Sequence, residues 1–275
     1  MVLCNLGTCR GCPESIGNSI PAKEVLMQTV GAQFVEAMKA VSTKRLRTSI
    51  FDLQNFGERS SWEKQALTQQ YLIEEINAIG LHPQVEEYSY ENRVFGNILL
   101  SFPGRAKPQK KLLVVAHYDT KNWTPGLSSP GADDNGTGVS VLLELAQLIH
   151  KLDRRLTWQL IFTSNEEKSQ QGSRNLARRA RRQGIDIAAV ISVDAVGYRP
   201  SGLSEVFPII GSSLDVDRKI KGLAKIFYNG YLGLRNGCSL LKLGFRETDM
   251  PFAPPISFRK AVGNAIHWQL GGACA

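Results

Sequence analysis

No apolar run in this 275-residue chain approaches the roughly 18 residues that a membrane-spanning helix needs, so no membrane span is expected. The first twenty residues lack a basic stretch followed by a long apolar one. They do not read as a secretory signal, and a cytoplasmic location is the expectation. Cysteine is scarce and odd in number, at positions 4, 9, 12, 238 and 274, which excludes a purely disulfide-built framework. Cys9 and Cys12 form a lone C-x-x-C with Cys4 nearby, but no fourth ligand lies close in sequence. Free thiols on an N-terminal extension are expected there rather than a zinc or cluster site. No internal repeat occurs, and no linker interrupts the chain after residue 23. Histidine is also rare, with four in all.

The charge is modestly basic, +8 from 33 Lys and Arg against 25 Asp and Glu. Such an excess acts on solubility and steering before anything else. The densest basic stretch, "SRNLARRARRQG" at 173–184, reads as a helix with its arginines toward solvent. No aromatic platform or nucleic-acid module accompanies it, so no nucleic-acid partner is expected. The oligomeric state is left open. Residues 1–23 read as a loose extension, and residues 24–275 as one domain.

Within that domain, apolar residues recur at helical spacing over 24–41 and, more clearly, over 62–80, where Gly80 ends the helix. "QVEEYSY" alternates as a strand does, and "GNILLSF" follows as a second. The rhythm then changes. "KLLVVAHYD" (111–119), "TWQLIFTS" (157–164) and "IAAVISVD" (187–194) are apolar strands with helices between them, at 138–152 and in the arginine-rich stretch. A further strand at 205–210, a helix at 214–227 and a strand at 254–258 complete the pattern. Strands of this kind alternating with helices predict an α/β fold: a mixed, centrally parallel sheet flanked by helices.

Open α/β sheets bind ligands at the carboxyl ends of their strands. Here His117 and Asp119 end one strand, Glu166 and Glu167 end the next, and Asp194 ends the third. Asp133 and Asp134 lie in the loop "PGADDNGTG", and His267 lies beyond the last strand. Taken singly, each has a bland explanation: an edge histidine, a solvated loop, a helix cap. Together they form an acidic cleft, costly without compensation and favourable around bound cations. His82 and His150 do not belong to it; one precedes a proline and the other ends a helix, where a cation suits the dipole. Histidine and carboxylate without cysteine point to zinc, ahead of manganese or cobalt. Five ligands with one shared carboxylate suit two metals roughly 3.5–4 Å apart. A bridging role would explain why Asp133 sits in a loop made for close backbone approach.

Four segments carry a family resemblance. "AHYDT" is similar to an H-x-D segment, "PGADDNGTG" to a P-G-A-D-D-x-x-S-G loop, "FTSNEEKSQQGS" to F-x-x-E-E-x-G-x-x-G-S, and "ISVDAVGY" to a strand ending D-x-x-G-Y. In this order and at these intervals they resemble the zinc aminopeptidase family of co-catalytic metallopeptidases, which includes bacterial leucyl aminopeptidases, glutamate carboxypeptidase and, more distantly, glutaminyl cyclases. The resemblance implies a zinc exopeptidase fold and an aminopeptidase acting on peptides with a free N-terminus. It implies two zinc ions per chain: Asp133 bridging both, His117 and Asp194 completing one, Glu167 and His267 the other. Asp119 would accept a hydrogen bond from the far nitrogen of His117. Glu166 would be the general base for the metal-bridging water. A cis peptide is implied after the bridging aspartate.

The chain departs from the pattern at Met250 in "TDMPF", where a histidine often stands, and at "AIHWQL", where the last ligand is often preceded by tyrosine. It also departs at Lys168 and Ser169, and in ending eight residues after His267. These departures keep two other readings in view: an impaired or truncated peptidase-like binding protein, and a glutaminyl-cyclase-like acyltransferase.

Overall fold

The computed structural model describes residues 36–37, 39–122 and 128–197. The N-terminal extension, all five cysteines, most of the expected helix at 24–41, every element expected after 197, Met250 and His267 lie outside the described residues.

The first described helix, α1 (Thr43–Asn55), is not among the elements that periodicity predicts. Its start is nevertheless chemically marked. The Ser42 hydroxyl accepts from the Arg45 N–H at 3.3 Å, satisfying one of the donors a helix leaves unpaired at its start. Ser61 does the same for α2 (Trp62–Ala78), accepting from Lys64 N–H at 3.2 Å. On α2 the buried residues Gln65, Thr68, Leu72 and Ile76 fall at spacings of three and four, the face that packs inward.

Five strands follow: β1 (Gln84–Tyr90), β2 (Arg93–Phe102), β3 (Lys107–His117), β4 (Leu156–Thr163) and β5 (Asp186–Ser192). They form one sheet in the order β1-β2-β4-β3-β5. β1 and β2 are antiparallel, as are β2 and β4; β3 runs parallel to both β4 and β5. The sheet is mixed with a parallel region around β3, as predicted. Helix α3 (Gly136–Leu148) crosses from β3 to β4 and continues as one 3-10 turn, Ile149–Lys151; α4 (Gln171–Arg182) crosses from β4 to β5. The chain at β2 reads as an almost continuous buried run, the mark of a strand covered on both sides.

The core lies where α1, α2 and α3 press on one sheet face. Leu53, Leu72, Ile76, Ile98, Val114, Val139, Leu142, Leu160 and Phe162 meet there, each nearly or fully buried. Helix α3 also buries Glu144, whose carboxylate pairs with Arg45 at 2.6 Å and accepts from the Ser42 N–H at 2.7 Å. That polar clasp ties α1 to α3 across the apolar face. Helix α4 buries only Gly172 and Ala180, so its arginines face outward as the sequence suggests. One of them, Arg179, reaches Glu86 on β1 at 2.6 Å.

Parallel pairing has one consequence for chemistry. His117 on β3 stands level with Thr163 on β4, and Val115 with Ser192 on β5. The residues just past these three strand ends therefore emerge along one edge of the sheet.

Candidate metal centre

His117, the last residue of β3, is 4% exposed and sits at the centre of that edge. Its Nε2 lies 3.1 Å from Asp134 Oδ1 and 3.4 Å from Asp194 Oδ1. Its Nδ1 faces the other way, 3.1 Å from the Asp119 carbonyl and 3.6 Å from an oxygen of the Asp119 carboxylate. The three groups His117, Asp134 and Asp194 each offer one ligand atom, all within 4.8 Å of one another. Asp194 Oδ1 is buried and accepts no hydrogen bond among the described residues. A buried carboxylate oxygen without a well-formed hydrogen bond is costly, and a bound cation would offset that cost. One imidazole nitrogen and two carboxylates are a donor set that suits zinc. The residues present fit a metal ion.

Asp133 was expected to bridge the metals, but it is not the aspartate that meets His117 in the structure. The aspartate turned toward His117 is the next one, Asp134. Asp133 points back into its own loop: its Oδ1 accepts from Gly197 N–H at 2.7 Å and from the Thr137 hydroxyl at 3.3 Å. The reason is local. Asn135 caps α3, its side chain accepting from Gly138 N–H at 2.9 Å and donating to the Val193 carbonyl at 2.9 Å. That anchors the loop between the ends of β3 and β5. The residue immediately before the cap then faces the cleft, and the one before that faces the turn following β5. The cis peptide in this loop joins Asp134 to Asn135, so it too follows Asp134 rather than Asp133.

The Asp119 carboxylate, 1% exposed, accepts from the backbone N–H of Glu166 at 2.9 Å and of Glu167 at 3.1 Å. It is thus mainly a brace for the Glu166–Glu167 segment, while its own carbonyl stands at hydrogen-bond distance from His117. Glu167 is not in the three-residue group, although it lies on the same edge. His267 lies outside the described residues.

Electrostatics follow from the crowding. Burial works against charge on His117, but Asp194, Asp119 and Asp134 outweigh it and hold the imidazole well above its usual range. Burial likewise opposes charge on Asp134, yet His117 and Arg59 bring its carboxyl below the usual value. Glu166 is pushed up to about 7, mostly by burial; Asp119, Asp194 and Asp134 add to this and His117 opposes it. Glu167 is pushed up to about 8 by burial and then by Asp134, again with His117 opposing. A carboxyl near 7 is poised to exchange a proton at neutral pH.

One residue of this region has no signal in the sequence. Arg59 is fully buried. Its guanidinium donates to the carbonyls of Tyr118 (2.8 Å), Leu53 (2.9 Å), Pro130 (2.5 Å) and Gly131 (3.2 Å). Its backbone N–H donates to the Thr120 hydroxyl at 2.8 Å. Arg59 therefore binds the end of α1, the residue after His117 and the start of the Asp134 loop into one unit. Burial lowers it to about 10, with Asp119 and Asp134 opposing. A single arginine in "FGERSS" carries nothing that separates it from a surface charge. Gly131 lies against it at φ +62°, where an added Cβ would stand 2.0 Å from the Thr120 methyl and 2.8 Å from the Arg59 guanidinium.

Fold and site together define an α/β protein whose parallel strands end in a His/Asp/Asp group that could hold a metal ion. Residues 97–227 match the family model of Peptidase family M28. The chain is 33% identical over 105 residues to a "Probable zinc metalloprotease" of Pyrenophora tritici-repentis, covering 36% of this chain and 24% of that protein. It is 25% identical over 185 residues to a "Probable leucine aminopeptidase" of Arthroderma otae, covering 64% and 47%. Among solved structures, the LapA aminopeptidase of Legionella pneumophila shares the fold, with a TM-score of 0.51 at 19% identity over 60% of this chain and 46% of that one. The M28 family match and the names of these relatives agree with the resemblance that the four motifs carry. The matched part spans a quarter to a half of those two curated relatives.

Proposed function

We propose that the chain hydrolyses peptides as a zinc-dependent exopeptidase, most specifically as an aminopeptidase. The observation that carries this reading is the convergence of His117 Nε2 with Asp134 and Asp194, within 4.8 Å, beside a carboxyl raised to about 7 at Glu166. His117, Asp134 and Asp194 would hold one zinc ion. Glu167 and His267, with Asp134 shared, would hold a second. Bound zinc supplies Lewis acidity to the scissile carbonyl and a more acidic water.

The chain's own groups do the rest. The Asp119 carbonyl holds His117 Nδ1 and so keeps Nε2 toward the cleft. Glu166 accepts the proton of the attacking water and returns it to the leaving amine, a task suited to a group titrating near neutrality. Asp119 fixes where Glu166 stands by binding its backbone N–H. The names borne by the relatives support the aminopeptidase assignment.

Zinc content measured by mass spectrometry, with a panel of aminoacyl-nitroanilides and their N-acetylated counterparts, tests the proposal. Bound zinc and cleavage of free-amine substrates alone are expected. Cleavage of blocked substrates would refute the aminopeptidase step, and cyclisation of N-terminal glutamine without peptide cleavage would replace hydrolysis by acyl transfer. A chain that binds no zinc and cleaves nothing would be a binding protein instead.

A further inference from the structure

Behind Glu166 and Glu167 lies a buried amide pair that takes no part in metal binding or proton transfer. Asn165 follows the end of β4 and is fully buried, at φ +51°. Few residues other than glycine adopt this left-handed conformation; asparagine is one of them. Its side-chain Oδ1 accepts from Gln65 Nε2 at 2.9 Å, and its backbone N–H donates to Gln65 Oε1 at 3.3 Å. Its Nδ2 donates to the Tyr88 hydroxyl at 3.1 Å, which lies 2.9 Å from the Ser164 hydroxyl. Gln65 itself is 1% exposed and belongs to the first turn of α2. Both ends of its amide are thus spent on a residue 100 positions away.

A fully buried amide must be paired, and here the pairing is reciprocal, which fixes orientation as well as distance. The next two residues are Glu166 and Glu167, whose N–H groups point at the Asp119 carboxylate. The two-glutamate segment is therefore gripped from both sides: by Asp119 in front, and by Gln65 and Tyr88 through Asn165 behind. Without the rear grip, the turn would rest on the Gln171 N–H bond to the Asn165 carbonyl (2.9 Å) and on the Asp119 contacts alone, and its loosening would shift both glutamates.

We infer that Gln65 and Asn165 are positioning residues for the reaction: a reciprocal amide clasp that holds Asn165 in its left-handed turn and so aims Glu166 and Glu167 at the His117 edge. Neither touches reacting atoms. The clasp rests on the proposed peptidase activity only for its kinetic consequence; its structural role is testable without any turnover.

The test uses the full chain with three changes: Gln65→Met, which keeps the shape without the bonds, Asn165→Gly, which keeps the left-handed turn without the side chain, and both together. In metal-free protein, exchange of the Glu166 and Glu167 amide protons is followed by NMR, with Ile161 and Phe162 as core references. Both variants should exchange at the two glutamates about tenfold faster or more, while the core references stay unchanged. In zinc-loaded protein, kcat on a cleaved nitroanilide should fall by up to about 10²-fold, as for a misplaced group, with KM within about threefold. The double variant should lose clearly less than the sum of the two single losses, because both remove the Gln65 Nε2–Asn165 Oδ1 bond. Unchanged glutamate exchange in Asn165→Gly, or additive losses in the double variant, would overturn the inference; so would exchange rising equally in the core, which marks general loosening. If Gln65→Met does not fold, Asn165→Gly alone decides. Wild-type protein that cleaves no substrate would refute the proposed function, and amide exchange would then decide the clasp by itself.

Discussion

Metal-free protein should lose stability as pH rises from about 5 to 8, and zinc should cancel the loss. Burial places the Glu166 carboxyl at about 7, against an ordinary value of 4.5 that it regains in the unfolded chain. Between those values the unfolded chain has released its proton while the folded one retains it, so each rise in pH favours unfolding. The contribution is whole below the unfolded value and gone once pH passes the folded one. A shift of this size amounts to roughly 3 kcal/mol. Glu167, raised to about 8, acts in the same direction. The two titrate as a neighbouring pair, and Glu167 is partly solvated, so it extends the window upward more than it doubles the effect. His117, also raised, loses its contribution only as pH climbs through its own elevated value. Asp134, lowered, contributes fully across the window and fails only in acid. At about 2–4 °C per kcal/mol, the metal-free transition should fall by roughly 6–12 °C across the window. Scanning calorimetry of chelated and zinc-loaded protein at fixed ionic strength reads this directly. Zinc requires ionised carboxylates and a neutral imidazole, so its stabilisation should grow with pH. A metal-free transition that is flat or rises from pH 5 to 8 would refute the reasoning, as would a Glu166→Gln protein that keeps the full slope.

Three further outcomes are expected. Asp134→Asn should lose bound zinc, whereas Asp133→Asn, whose amide oxygen can still accept from Gly197 N–H, should keep it; metal analysis of the two side by side decides which aspartate serves the metal. Glu166→Gln should keep its zinc while turnover drops by roughly 10²–10⁴, the usual loss for a missing general base, measured on the best nitroanilide. Arg59→Met should lower the urea midpoint by the equivalent of about 3 kcal/mol or more, since four carbonyls, three of them in buried bonds, lose their donor, and an unchanged midpoint would show that the loop stands without the clamp.

Much of this protein is determined by its sequence. Runs such as "KLLVVAHYD" and "TWQLIFTS" are strands because β-branched and apolar residues suit a sheet covered on both faces, and the helices between them make the neighbours parallel. Parallel strands must then deliver His117, Glu166 and Asp194 to one edge, so the acidic edge was legible without coordinates. Other features depend on meetings that sequence spacing does not encode. Helix α1 was not legible because its inward face is held partly by the pairing of Arg45 with the buried Glu144 rather than by an apolar stripe. Asp133 and Asp134 are chemically identical neighbours. Only the anchoring of Asn135 between α3 and the end of β5 turns one toward His117 and the other toward Gly197. Arg59 and Gln65 look like surface polar residues until folding surrounds them with the carbonyls and the amide that give them partners. The tertiary structure decided these points because the orientation of a side chain at a turn, and the burial of a polar group, are set by what the rest of the chain brings against it.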